Sequence, residues 1–204
     1  MLPSQNAVQH NPYSFACRSA YFNTLDNFDK EPTVTSPDKT KAVELTKDYK
    51  FRVIADGTVA STLDFPDVSS NVEIGWSPDS SQFFISYSDG GAVGGYHVHL
   101  YQLVDNQVQE SQAPSTVAAG FKGKHWCEAR GNNMFFLDWT QDSKIGFLVA
   151  EVYPDSDCGK QMGQFRGYAV NPLDGTILRV FSKKETDRIE MSCRKSGRLV
   201  LPSR

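Results

Sequence analysis

The sequence lacks long hydrophobic runs, paired-cysteine motifs and the short signatures of common enzymes. No apolar run approaches the roughly 20 residues that a membrane-spanning helix needs, so we expect no membrane insertion. The C-x-x-C pair, G-x-S-x-G, H-E-x-x-H and the Walker phosphate loop are all missing. Their absence argues against zinc ribbons, thioredoxin-type redox sites and the common hydrolase and nucleotide-binding motifs, and the sequence implies no cofactor.

Helical periodicity and a strong net charge are lacking too. Few segments place apolar residues at i, i+3, i+4 and i+7, so little helix is expected. The formal net charge of −3 gives no general attraction to nucleic acid or to an anionic membrane. Residues 180–204 are nevertheless basic, which indicates either a solvated end or a docking patch for an acidic partner. Their charged side chains are Lys183, Lys184, Arg188, Arg194, Lys195, Arg198 and Arg204, against Glu185, Asp187 and Glu190.

What the sequence does contain is a repeated pair of hairpins. The first hairpin of each pair joins two apolar runs through a polar turn, at Ser36-Pro37-Asp38, Ser77-Pro78-Asp79 and Thr140-Gln141-Asp142. The second hairpin follows with turns at Asp56-Gly57, Asp105-Asn106 and Pro172-Leu173-Asp174-Gly175. This pattern predicts units of four antiparallel strands, A to D, that recur roughly every 40 to 60 residues.

The four-strand unit predicts an all-β protein: a small four-bladed β-propeller or an incomplete propeller-like fold. Three units occupy residues 32–70, 71–133 and 134–188. A fourth unit takes two strands from 189–204 and the other two from 1–31, so that the whole chain forms one domain. Closing the ring with strands from both ends would leave no large exposed edge.

The stretch "WSPDSSQFFISYSDGG", residues 76–91, resembles the blade repeat of the TolB-like and WD40-like β-propeller families. The resemblance covers residues 71 to about 111 well, and 32–65 and 134–182 more loosely. It implies the propeller fold and the habit of binding partners, and it implies no catalytic residue. Unequal loops and a small number of repeats depart from those families, which keeps the incomplete ring open as an alternative.

Loop length is added at one end of the units, where the B–C loops and D–A connections lie. The loops 88–95 and 153–163 extend the second and third units, and the connection 111–133 lies between those units. Because binding residues concentrate on loops held by rigid scaffolds, we predict that this face binds a partner. Its candidate residues are Tyr96, His97, His99, His125, Trp126, Tyr153 and Asp155.

The four cysteines favour two disulfides in an exported protein, periplasmic or secreted, although no leader pattern is visible. Four buried thiols in a cytosolic protein are the alternative. The unit assignment places Cys127 and Cys158 on the loop face and brings the two chain ends together. It therefore predicts the pairs Cys127–Cys158 and Cys17–Cys193.

Our first hypothesis is a non-enzymatic module that binds another protein through the loop face, as an immunity-type inhibitor or an adaptor. A metal-dependent hydrolase is an alternative, because His97 and His99 share a strand face and could bind a metal ion together with His125. Two histidines beside a glycine-rich loop are more often exposed strand residues. A module for a small molecule or glycan, using Tyr96, Trp126 and Tyr153, is the other alternative.

Overall fold

A computed structural model of the chain describes residues 16–23, 30–65, 67–68, 71–90, 95–125, 132–153 and 158–202. Within these residues most of the regular structure is β, arranged as three antiparallel sheets. The prediction of an all-β protein built from four-stranded antiparallel units is confirmed for these sheets. No helix in the described ranges is long and apolar enough to cross a membrane.

Each sheet is a meander in which consecutive strands pair in order. The strands, numbered along the chain, start with β1 (Ala20–Asn23), which lies at the edge of the second sheet. The first sheet contains β2 (Thr33–Thr35), β3 (Lys41–Leu45), β4 (Lys50–Ala55) and β5 (Thr58–Asp64). The second contains β6 (Asn71–Trp76), β7 (Gln82–Ser88), β8 (Tyr96–Val104) and β9 (Gln107–Glu110), and the third contains β10 (Asn132–Trp139), β11 (Gly146–Val152), β12 (Phe165–Val170) and β13 (Ile177–Phe181). Helix α1 (Ala113–His125) lies between β9 and β10 in the chain, and α2 (Lys183–Ser196) follows β13.

The sheets pack face to face through two apolar cores. Phe83 enters the core between the first and second sheets, and its neighbour Phe84 enters the core between the second and third. Successive side chains of a strand point to opposite faces, so both faces of β7 are covered. Every residue of β7 is therefore buried, which explains why "QFFISYS" does not alternate between apolar and polar residues.

The outer faces of the stack differ. On the first sheet the outward face is polar, and Arg52 lies 2.9 Å from Glu44. On the third sheet α2 covers the outward face, where Ile189 and Cys193 pack against Phe147. The stack of described sheets thus ends in a solvated surface on one side and in a helix on the other.

The prediction of strands at the C-terminus is wrong, because residues 189–193 belong to α2 and 198–201 form no strand. Ser182 begins this helix with a capping box to Glu185. Gly197, with φ 64°, ends the helix in the left-handed conformation.

The predicted fourth unit is not formed by the described parts of the two ends. Strand β1 does not join a C-terminal sheet but pairs with the free edge of β6, with Phe22 opposite Val72. It adds a fifth strand to the second sheet. No closed ring of four blades is present in the described residues.

The prediction of a long loop at 111–133 is also wrong, because α1 occupies much of it. Ala113, Val117 and Phe121 recur at i, i+4 and i+8, and all three are buried in the core between the second and third sheets. Pro114 near the helix start suits this element, since the first turn needs no amide donor there. The helix could have been predicted from the four-residue spacing of these apolar residues.

The three A–B turns share one hydrogen-bonding pattern. The hydroxyl of the first residue donates to the aspartate two residues later, at 2.6 Å from Ser36 to Asp38 and at 2.7 Å in each of the other two turns. The amide of the sixth residue donates back to that hydroxyl. The fourth residue adopts positive φ: 66° at Lys39, 62° at Ser80 and 59° at Ser143.

Neighbouring A–B turns are linked to one another. The Asp38 amide donates to Ser80 Oγ at 3.0 Å, and the Asp79 amide donates to Ser143 Oγ at 3.1 Å. The Asn106 side chain donates to Asp56 at 3.1 Å and links two C–D turns at the same end. These bonds set the spacing of the sheets at this end of the stack, which we call the turn end.

Replacing Ser80 with Ala is expected to lower the free energy of unfolding by about 1–2 kcal/mol, because a buried hydroxyl acceptor for the Asp38 amide is lost. Lys39→Ala is the matched control, since Lys39 holds the same turn position with the same positive φ and accepts no such bond. Urea denaturation of both variants measures the difference. Equal losses would show that the inter-turn bond contributes nothing.

Candidate binding face

The end of the stack opposite the turn end carries the candidate site, and we call it the loop end. Strand β7 ends there at Ser88 and β8 begins there at Tyr96. Strand β10 begins and β11 ends at the same place. The described side chains at this end form an aromatic column and a hydrogen-bonded polar network.

The column lies on the face of the second sheet that is directed at the first. In the strand register Tyr87 is opposite His97 and Ile85 is opposite His99. The Tyr87 ring lies 5.3 Å from the His97 ring and 5.9 Å from the His99 ring. Phe65, at the end of the first sheet, packs with its ring centroid 4.5 Å from that of His99. His99 is therefore held between aromatic rings from both sheets, whereas His97 packs against Tyr87.

Each imidazole has its own carboxylate. His97 Nε2 lies 3.1 Å from Asp89 Oδ2, and His99 Nδ1 lies 2.7 Å from Glu110 Oε1. The side chains of His97 and Asp89 are 44% and 36% exposed, so this pair is open to a partner. Burial, together with nearby carboxylates that include Asp89 and Glu110, raises the pKa of the Tyr87 hydroxyl and keeps the ring neutral.

Among the described residues, the one group of three possible ligand atoms within 4.8 Å of each other is Cys17, Asp138 and Cys193. Its two sulfurs are joined in a disulfide and are not free to bind metal. The candidate ligands His97 and His99 each lie within hydrogen-bond distance of a different carboxylate. The side chain of His125 lies outside the described residues.

The polar network joins five strands beside the column. Tyr21 donates to Asn71, and the Asn71 side-chain amide donates to the Tyr96 hydroxyl at 3.4 Å. Asn133 accepts from the Tyr96 amide at 3.1 Å and donates to Glu151 at 3.1 Å. Strands β1, β6, β8, β10 and β11 are thereby connected through side chains, which stiffens the loop end.

Burial raises the pKa of Glu151, and the hydrogen bond from Asn133 opposes that rise. The folded protein therefore holds a proton at this carboxyl more tightly than the unfolded chain does. This group favours the folded state most at low pH, and that contribution is lost as the pH rises through the folded pKa.

The predicted site residues fall into two groups. Tyr96, His97 and His99 lie together at the loop end, and Tyr153 is half-buried just after β11. Trp126 and Asp155 lie outside the described residues, as does the side chain of His125. The sequence did not predict the other residues of the aromatic column and the polar network. Those residues are Tyr21, Phe65, Asn71, Tyr87, Asp89, Glu110, Asn133 and Glu151, and only pairing of distant strands reveals them.

The prediction of a Cys17–Cys193 disulfide is confirmed, with Cα atoms 5.5 Å apart. The bond does not lie within a fourth unit as expected. It joins the segment before β1 to α2, and the Cys17 amide donates to the Leu137 carbonyl of β10 at 2.8 Å. Cys158 is also disulfide-bonded, and its predicted partner Cys127 lies outside the described residues.

An ion pair between the partly exposed Arg18 and the buried Asp138 lies beside this disulfide. Arg18 Nε donates to Asp138 Oδ2 at 2.9 Å, and the Trp139 amide donates to the same carboxylate at 2.8 Å. Burial of the carboxyl raises the pKa of Asp138, while Arg18 opposes the change. The disulfide and ion pair together fasten the N-terminal segment to the third sheet.

Comparison with known proteins adds no family. No protein-family model matches the chain, and no curated protein matches it significantly.

Removing the Cys17–Cys193 bond with the double change Cys17→Ala and Cys193→Ala is expected to lower the free energy of unfolding by about 3–5 kcal/mol. The bond closes a loop of 176 residues, and the unfolded chain gains the corresponding freedom. Denaturant unfolding with and without dithiothreitol provides the measurement. A variant that unfolds at the same midpoint as the oxidised protein would contradict the expectation.

Replacing Glu151 with Gln is expected to raise the free energy of unfolding near neutral pH by about 0.5 kcal/mol, because a partly buried charge is removed while an acceptor for Asn133 is kept. Thermal unfolding across the acidic and neutral range measures the effect. The gain should vanish at low pH, where Glu151 is itself protonated. A gain that does not depend on pH would exclude ionisation of Glu151 as its cause.

Proposed function

We propose that the chain is a non-enzymatic binding module whose loop end contacts another protein. The observation that carries this proposal is the pair of partly exposed imidazoles at the loop end, each beside a carboxylate and packed against the buried ring of Tyr87. Protein interfaces favour rigid aromatic anchors surrounded by polar groups. The partly exposed Tyr96 offers contact area with few rotatable bonds, which lowers the entropy cost of binding.

For the fold, we infer a propeller-like arc of three four-stranded units rather than a closed ring. The outer faces of the first and third sheets support this proposal. The outer face of the first sheet is polar and that of the third is covered by α2, so neither needs a further sheet to pack against it. Strand β1 along the free edge of β6 supports it too, since this strand occupies the inner edge that a ring would leave around a central channel.

One observation supports the binding proposal over the hydrolase alternative. A hydrolase site built on His97, His99 and His125 needs the three rings to converge on one ion. Among the described residues neither His97 nor His99 belongs to a group of three possible ligand atoms. A rigid face without converging ligands suits an inhibitor of the immunity type, which would cover a partner's active site.

We also propose an exported protein, periplasmic or secreted. The Cys17–Cys193 bond supports this compartment, because structural disulfides persist in oxidising environments and are rare in the cytosol.

The test uses the purified protein as bait in cell lysate and culture supernatant, followed by calorimetric titration of the captured protein. The loop-end variant His97→Ala/His99→Ala should bind at least about tenfold more weakly, because central aromatic contacts dominate interface energies. A second variant, Asp89→Asn, removes one charge at the rim and leaves the rings in place.

The matched control is Val59→Ser/Val104→Ser at the turn end, where the two side chains are 58% and 43% exposed. This control should bind as the unaltered protein does, and circular dichroism should show all variants folded. Equal affinity for the loop-end and turn-end variants would refute the proposed face. Selective binding of a glycan or small molecule in place of a protein would support the alternative module.

A further inference from the structure

The outward face of α2 carries an unusual stripe of side chains. Lys184, Arg188, Met191 and Lys195 follow one another at i, i+4, i+7 and i+11, which places them on a single line along the helix. All four are exposed, and Met191 is 64% exposed. The opposite face, with Thr186, Ile189 and Cys193, is buried against the third sheet. We call these four residues the basic stripe.

The cations of the basic stripe have no carboxylate partner among the described residues. Two of the three acidic side chains of α2 pair with cations outside the stripe, Glu190 with Arg194 at 2.7 Å and Glu185 with Arg179 at 3.3 Å. Within the described residues Lys184, Arg188 and Lys195 form no ion pair.

The stripe is unfavourable in the isolated protein. Lys184 and Arg188 are like charges one turn apart on a helix, a spacing at which like charges repel. The exposed side chain of Met191 is apolar, and contact with water does not stabilise it. Both costs would be offset by a partner that brings carboxylates to the cations and an apolar side chain to Met191.

We propose that the basic stripe docks an acidic, partly apolar segment of a second protein, at a surface separate from the loop end. The segment should be acidic because the stripe is basic, and it should carry an apolar side chain because Met191 is exposed. Methionine and arginine are enriched in protein interfaces. The exposed apolar side chain of Met191 has no use for a polyphosphate backbone, and the net charge of −3 gives no general attraction to a nucleic acid or an anionic membrane, so a protein segment fits better.

The probe is a synthetic helical peptide of about 18 residues that carries Glu along one face with a Leu among them, so that carboxylates and an apolar side chain can reach the stripe together. Fluorescence anisotropy of the labelled peptide is followed against the full chain with its disulfides intact. The variant Lys184→Glu/Arg188→Glu/Lys195→Glu should bind at least about tenfold more weakly, and Met191→Ser should bind several-fold more weakly. Raising the salt concentration should weaken binding to the unaltered protein.

The matched control is Lys39→Glu/Lys47→Glu/Lys144→Glu, which makes the same change in net charge at exposed sites away from α2. It should retain the affinity of the unaltered protein to within about twofold, since only the local charges act at contact distance. Equal loss in both triple variants, or no saturable binding by the unaltered protein, would overturn the proposal. Tighter binding of a single-stranded oligonucleotide or of phosphatidylserine vesicles than of the peptide would overturn it as well, in favour of a polyanion surface.

Discussion

The structure depends on a hydrogen bond between turns. In two successive turns an aspartate amide donates to a serine hydroxyl of the next sheet, from Asp38 to Ser80 and from Asp79 to Ser143. Each serine holds a positive φ that places its side chain on the neighbouring turn. Sheets spaced in this way can bury side chains from both faces of β7, and both apolar cores follow from that spacing.

Much of the sheet structure was predictable because hairpin signals are local. The S-P-D turns and the Asp-Gly-like turns lie where the sequence pattern placed them, and the strands on either side pair in sequence order. The structures formed by the two ends of the chain could not be predicted in this way. A strand beside β6 needs a partner about fifty residues distant, which no local pattern encodes. The short run "RIEMSC" has apolar residues compatible with either strand or helix, and the capping box at Ser182 was the signal that decided between them.

The candidate site was predictable only in part, for the same reason. His97 and His99 share a face because residues two apart on a strand always do, and that inference needs no tertiary structure. Their contacts with Asp89 and Glu110, the packing of both rings against Tyr87 and the packing of His99 against Phe65 arise from strands and loops brought together by folding. A pair of histidines that resembled half of a metal site thus lies within hydrogen-bond distance of two different carboxylates.

The first turn differs from the others at one residue, and this difference gives the stack a direction. Its fourth position is Lys39, where the second and third turns have serine, so it has no hydroxyl to accept an amide from a preceding turn. A duplicated unit placed before the first sheet would find neither this acceptor nor an apolar face, whereas one inserted between existing sheets would find both. Growth of such a protein by gene duplication would therefore have to proceed internally, and an engineer lengthening it would meet the same restriction.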